Sequence, residues 1–393
     1  MYKAFIAYTE ETDEIDVAMD ELMGQLDLSQ LLPNSVGLVF CDASFYFSGV
    51  YKALCEKFPF PILGATTISA AAPQSRVSQI LALMIITSDE LRFSVALSDT
   101  LKNGDDSVVE RLYQEAKKDM EGEPALIMTY YPLFTEYDPD DMINTLSRLA
   151  PGKPIYGTLT SSQTLDSYSE AKVLYGGEGH DSSMSLLLIY GDIQPRFFRG
   201  SFSEEKLLKD KGVITSCKEN RILTINDIPA KEYFIKMGIS ADDAGNLLFP
   251  ELFPVILDLN DGSLPYIRAM FTSLDDGSVV LNGGVRQGAT ISLSTIDIAE
   301  IQASVDKTLE TLKAQKEEKG FSLAIFHSCA ARYFVAFGYD VDVEIKAIKN
   351  HLSGKDSVPY VFCYSGGEIC PVVTKDNSLT NRVHTYTIVA CVF

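Results

Sequence analysis

The sequence is short of positive charge: 33 Lys and Arg stand against 54 Asp and Glu, a formal net charge of −21. Nucleic acid and anionic membrane surfaces need clustered cations, so neither is expected as a partner. Long apolar runs are missing as well. The longest, "ILALMII" at 80–86, falls far short of the ~20 residues that cross a bilayer. There is no Cys-x-x-Cys, no His-x-x-x-His, and the four His lie far apart, so no metal is expected. The Gly-rich stretches "GGEGH" (176–180) and "GGVRQG" (283–288) lack the strand, Gly-x-Gly-x-x-Gly, helix frame that cradles a dinucleotide. No cofactor is expected either. "YKAFIAYTEE" at the start meets acids at once and shows no cleavage pattern. The cysteines, odd in number and mostly inside apolar segments, read as free thiols in a reducing cytoplasm.

What is present is core. With 393 residues, 46% hydrophobic and 22% charged, the chain can fill two ordinary domains. A strand over 2–8 and a helix over 12–26 open it. Three later segments then repeat one pattern: 36–69, 124–163 and 322–369. Each starts with an apolar strand and carries a helical stripe (Val50, Leu54, Phe58; Met142, Leu146, Leu149; Ile345, Ile348, Leu352). Each then meets a proline (Pro61, Pro154, Pro359), a second strand, and a cluster of small polar residues. A further apolar strand follows in all three. The strand–helix–strand crossovers predict parallel pairs, with ligand-prone loops at their carboxyl ends. Those loops are "GATTIS" (64–69), "GTLTSSQ" (157–163) and "YSGGEI" (364–369). Turn chemistry alone also demands Gly and Ser there; three in parallel positions lean toward function.

Between the second and third repeats lies a β-rich stretch, about 205–320. It has a hairpin at "DDG" (275–277) and a long amphipathic helix over 297–318. The predicted fold is mixed α/β, with βαββ-like repeats forming sheets flanked by helices. The expected domains are 1–205, with two repeats, and 206–393, with one.

Candidate site residues cluster at the strand ends. Arg332 follows "HSCAA" after an apolar strand and faces a loop, "SGGE", that is nearly bare of side chains. A guanidinium there suits a carboxylate, and Glu368 could take an ammonium; the same two residues could instead form an internal ion pair. Ser365, Gly366 and Gly367 would bring backbone to the ligand. Cys329, Thr66, Thr67, Thr158 and Ser161 would line it. Arg268, on a predicted strand, is a second cation with less claim, since such residues more often pack the stem and solvate the head. Cys329 with His384 and Glu368 could alternatively form a nucleophile system, although a cysteine among alanines is more often a small buried side chain. "YYPLFTEYDPDD" (130–141) reads as a helix's first turn, acids on the positive dipole end, in preference to a pocket wall.

The motifs "HSCAAR" (327–332), "YSGGEICPV" (364–372) and "LTNRVHTYTIVACVF", with "VRQGATI" and Arg268 in order before them and "FPILGATTISA" in the first half, resemble the FIST family (F-box and intracellular signal transduction). The likeness takes in its paired N- and C-terminal domains and covers roughly residues 30–390. It implies a sensory module binding small ligands such as amino acids, and acting stand-alone or through a signalling partner. One departure is the ending, where Arg382 and His384 stand between Asn381 and Thr385; a changed pocket edge implies a changed ligand. The expected function is therefore sensing of a small polar metabolite, an amino acid or other small carboxylate, near Arg332 and Glu368, without catalysis. A cysteine-dependent hydrolase or transferase at Cys329 and a ligand-free protein-interaction scaffold are the alternatives.

Overall fold

The computed structural model describes residues 1–75, 79–102, 104–133, 135–163, 170–203, 206–261, 265–337, 340–352, 357–374 and 378–393. The expected boundary at 205 falls on residues 204 and 205, outside the described ones. The repeats are larger than their sequence pattern. Five strands recur in each unit, which we name lead, first, second, donated and return; the second unit adds Glu178–His180 and the third Leu379–His384. In the first unit these are Tyr2–Thr9, Asn34–Cys41, Ile62–Thr66, Ser69–Ala71 and Leu81–Ser88. In the second they are Arg92–Leu97, Leu126–Tyr131, Ile155–Leu159, Val173–Tyr175 and Ser185–Tyr190. In the third they are Arg196–Gly200, Ala324–Cys329, Tyr360–Ser365, Gly367–Val373 and Ile388–Val392.

Within each sheet the order is lead, return, first, second. First and second strands are parallel, as the crossovers predict, and the return strand runs antiparallel to the first. The fifth place is filled from another unit. The first unit gives Ser69–Ala71 to the third, the second gives Val173–Tyr175 to the first, and the third gives Gly367–Val373 to the second. The exchange closes a ring of three sheets. Two of those sheets hold strands from both sides of residue 205, so the halves share hydrogen-bond ladders.

Burial explains the sequence pattern. The inner faces of the three sheets meet in one core, with Phe40, Leu63, Met84, Met128, Tyr156, Ile325 and Val361 among its members. The outer faces are covered by helices: Ile15–Gly24 and Val50–Lys57 on the first sheet, Asp106–Lys117 and Pro139–Leu149 on the second, Ile298–Lys319 and Val343–Leu352 on the third. Strands buried on both faces are apolar throughout rather than alternating, which is why "LALMIITS" and "SLLLIY" are fully buried. Gly64 and Gly157 occupy matched places in their second strands. A Cβ on either would sit 1.8 Å from a carbonyl oxygen of the neighbouring strand, Val39 or Thr129.

The β-rich stretch is an insertion into the third unit, between its lead strand and its long helix. Its sheet, with Val255–Asp258, Tyr266–Arg268 and Thr290–Ser294 among its strands, has a core of its own around Ile214, Phe234, Val255 and Ile291. The hairpin at 275–277 forms as predicted, with Ser273 opposite Val279 and Gly277 at φ 83°. No helix among the described residues is long and apolar enough to cross a membrane.

Candidate functional site

The three small-residue loops converge. Their backbone groups bond to one another in a cycle: Ile68 N–H to the Tyr364 carbonyl (3.0 Å), Ser161 N–H to that of Thr66 (2.9 Å), and Gly366 N–H to that of Leu159 (3.0 Å). Residues 68, 161 and 366 are equivalent, and so are 364, 66 and 159. The hydroxyls are engaged as well. Thr66 Oγ1 donates to the Ser161 carbonyl at 3.0 Å, Thr158 Oγ1 to that of Gly367 at 2.9 Å, and Thr67 Oγ1 to that of Cys41 at 3.4 Å. Thr66, Thr67, Thr158, Ser161, Ser365 and Glu368 have no exposed surface. Beneath the loops, Phe40, Tyr130 and His327, one from each first strand, meet edge-on, with ring centroids 5.7 Å and 5.2 Å from Phe40. Gly366 is bare for packing: a Cβ there would lie 2.4 Å from the Thr160 carbonyl oxygen. The loops close the ring; they do not frame an open cleft.

Arg332 has no exposed surface and pairs with Glu344, not Glu368. Its Nη2 donates to Glu344 Oε1 (2.8 Å) and Ser304 Oγ (2.9 Å), its Nε to the same carboxylate (3.2 Å), and its Nη1 to the Tyr386 carbonyl (3.4 Å). Ser328 Oγ donates to the other carboxylate oxygen at 2.9 Å. The expected Arg332–Glu368 cleft is therefore corrected to a sealed ion pair joining strand end and helices. Sequence reasoning missed Glu344. The available signal was its spacing, four residues before the buried Ile348.

Glu368 Oε2 accepts from Thr387 Oγ1 at 2.6 Å, while Oε1 has no hydrogen-bond partner among the described residues. Burial pushes its carboxyl well above the usual range. Cys329 is 2% exposed; burial, with the charge of Glu368 adding to it, pushes its thiol well up. The nucleophile arrangement is not assembled. His384 Nε2 pairs with the Cys370 carbonyl at 2.9 Å, and His327 Nδ1 lies 3.1 Å from Cys363 Sγ. Burial lowers both imidazoles to about 3. A neutral base bonded elsewhere and a protonated thiol do not make a nucleophile pair.

The large cleft lies elsewhere, between the β-rich insertion and the amino end of helix Pro139–Leu149, with a volume of about 960 Å3. Arg268, only 2% exposed, is on its wall and forms an ion pair with Asp140. Its Nη1 donates to the Ile267 carbonyl at 3.2 Å, its head lies 4.9 Å from the Tyr266 ring centroid, and its Nε has no partner among the described residues. Burial raises Asp140 to about 6; Arg268 pulls it down, and Asp138 and Asp141 push it further up. "YDPDD" is thus both things sequence reasoning weighed. Asp138 caps the helix through the Asp140 N–H at 2.8 Å, and Asp138, Asp140 and Asp141 also form a pocket wall. Gly283 and Gly284 let the insertion approach: a Cβ on the first would lie 2.7 Å from Arg268 Nε, on the second 3.1 Å from Asp138 Oδ2. Asn282 ties this wall to the ring, taking the Ala269 N–H at 2.9 Å and donating to Thr385 Oγ1 at 2.8 Å. Of the candidates, only Arg268 faces this cleft; Cys329 and Gly366 border a pocket of about 30 Å3 beside it. Among the described residues no group of His, Cys, Asp and Glu is arranged to hold a metal.

The FIST N domain model matches residues 35–228, and the FIST C domain model matches 230–371. The chain belongs to the FIST family. FIST domains are signal-transduction sensory domains, thought to bind small ligands. No curated protein matches the FIST chain significantly. Among solved structures, it is similar at a distance to a cyanuric acid hydrolase, with 8% identity, 100% of this chain and 99% of that one covered, and a TM-score of 0.33. A cyanuric acid hydrolase from A. caulinodans gives 10% identity, the same coverage and a TM-score of 0.31. Likeness at that level carries no argument about the FIST chain's chemistry.

Proposed function

We propose that this FIST protein senses an amino acid or another small polar carboxylate, bound in the cleft between Arg268 and Asp140, and passes the bound state to a signalling partner without catalysis. One observation carries the reading. A buried guanidinium and a carboxylate face the same 960 Å3 cleft, contributed by opposite walls. They offer complementary charge to a ligand's carboxylate and ammonium at once. A ligand that bridges the two replaces their direct contact and changes how the insertion sits against the helix, which gives binding a mechanical output. Arg332 and Glu344 belong to the frame that holds the walls in place.

The test is a thermal-shift screen of amino acids and small carboxylic acids on the wild type, Arg268→Gln and Asp140→Asn. A ligand at a hundred times its Kd adds ~2.7 kcal/mol of stability. The expected result is a stabilising acid or amino acid whose shift disappears in Arg268→Gln. A hit that persists in that variant, or no hit in either class, overturns the reading.

A further inference from the structure

The cleft at Arg268 carries more negative charge than its own cations match. Among the described residues its walls hold Glu136, Asp138, Asp140, Asp141 and Glu219, against Lys102, Arg268 and Arg286. Two of these cations are already engaged. Arg268 pairs with Asp140, and Arg286 lies 3.6 Å from Asp261, an acid that does not line the cleft. Lys102 is exposed. Asp138 and Asp141 stand three residues apart at the start of helix Pro139–Leu149, so they share one side of it. Neither forms an ion pair among the described residues.

An acidic wall alone is more often a solvated surface. Two features set this one apart. The acids crowd one another: burial raises the Asp141 carboxyl, and the charges of Asp138 and Asp106 push it further up. A cation placed there relieves that repulsion. The second feature is on the opposite wall, where Arg268 is 2% exposed and its Nε has no hydrogen-bond partner among the described residues. Gly283 lies against that nitrogen, and a Cβ on it would come within 2.7 Å. A buried donor without an acceptor is unfavourable, and a carboxylate entering the cleft supplies one. Leu257, Leu281 and Val285 add apolar lining, which suits a methylene stem of the kind that Lys and Arg carry.

We infer that the ligand of this cleft is a basic amino acid, with a second cationic group at the end of its side chain. The inference rests on the reading of the Arg268 cleft as an amino-acid site and narrows it to one class. The α-carboxylate meets Arg268 and the α-ammonium meets Asp140. The terminal cation lies against Asp138 and Asp141, and the stem between them rests on the apolar lining. An extended side chain has room, because about 960 Å3 is near the top of the ~300–1,000 Å3 found for small-molecule sites. An acidic amino acid would add negative charge to a wall already short of cations, and a neutral one would leave that wall unmatched. Charge therefore discriminates among amino acids by repulsion as well as attraction.

The experiment is calorimetric titration with four probes: L-lysine, L-arginine, L-norleucine and L-glutamate. Norleucine is lysine without its terminal ammonium. The proteins are wild type, Asp141→Asn, Asp138→Asn and Arg268→Gln, with Asp243→Asn, an exposed acid outside the cleft, as a control for net charge. Asp141 is exposed, so its variant is expected to fold, and asparagine at 138 can still cap the helix. The expected result is that lysine or arginine binds at least tenfold more tightly than norleucine, with glutamate weakest. Asp141→Asn or Asp138→Asn should cut that preference threefold or more and leave norleucine unchanged, while Asp243→Asn changes neither. Arg268→Gln should weaken the basic and neutral probes alike. Norleucine binding as tightly as lysine and arginine, through Arg268, overturns the inference and leaves the amino-acid site standing. A basic preference that survives both aspartate variants overturns it too. No saturable binding by any probe overturns both.

Discussion

The third unit's strand end and the cleft each hold a buried arginine paired with a carboxylate, yet the two regions use the pair differently. At the strand end, Arg332 spends its guanidinium on Glu344, Ser304 and a backbone carbonyl, and both members of the ion pair have no exposed side-chain surface. In the cleft, Arg268 keeps an unpartnered Nε, and Asp140 retains 20% of its side-chain surface. A fully satisfied pair fixes a fold; an incompletely satisfied pair on the wall of a cavity can still take a ligand. The same contrast separates the three loops, closed on each other by a cycle of hydrogen bonds, from the open wall at Gly283 and Gly284.

The sharpest way to break the comparison is to remove one arginine from each region. Arg332→Ala leaves Glu344 buried without its partner and should cost about 3–5 kcal/mol of stability, read by denaturant unfolding. Arg268→Gln should cost clearly less, because Asp140 reaches water and can protonate. Equal losses would remove the distinction between frame and site.

The ring's internal equivalence predicts the next effect. Gly64→Ala and Gly157→Ala each push a Cβ into the carbonyl of a neighbouring strand at the same 1.8 Å. Each should destabilise by roughly 1–3 kcal/mol, and by similar amounts. A silent substitution at one and a severe one at the other would show that the matched positions are not equivalent.

A smaller effect is expected from pH. His327 is held neutral by burial, at about 3 against an ordinary value of 6.5. The unfolded chain therefore binds the proton first, and stability is present above 6.5 and lost as pH falls toward 3. At pH 5 the histidine costs about 2 kcal/mol relative to neutral pH. His327→Phe places a phenylalanine where the first unit already has Phe40, so it should fold and lose less stability between pH 6.5 and 5. Identical acid profiles for variant and wild type would place the acid sensitivity elsewhere, with His384 the next group to test.

The repeats could be read from the chain because strands buried on both faces need continuous apolar runs, and because Pro61, Pro154 and Pro359 each stand just before a second strand. The ring could not. Ser69–Ala71 and Val173–Tyr175 are three residues long, too short to carry a period, and their pairing is set by partners in another unit. Arg332 stood out as a cation at a strand end, but its partner was misassigned: Glu368 sits beside the conspicuous glycines, whereas Glu344 is hidden in a helix. Arg268 carries less weight in the sequence than its place on the cleft wall gives it in the structure. An isolated arginine on a strand carries no sign that an insertion will fold it over the acids of a distant helix.

The most direct test of the central claim is hydrogen–deuterium exchange with and without the ligand found by the thermal-shift screen. Protection confined to the cleft walls, 135–144 and 266–286, is the predicted result. The loops at 64–69, 157–163 and 364–369, already closed on one another, should exchange slowly in both states and change little. New protection in those loops, with the cleft walls unaffected, would contradict the account and return the site to the ring axis.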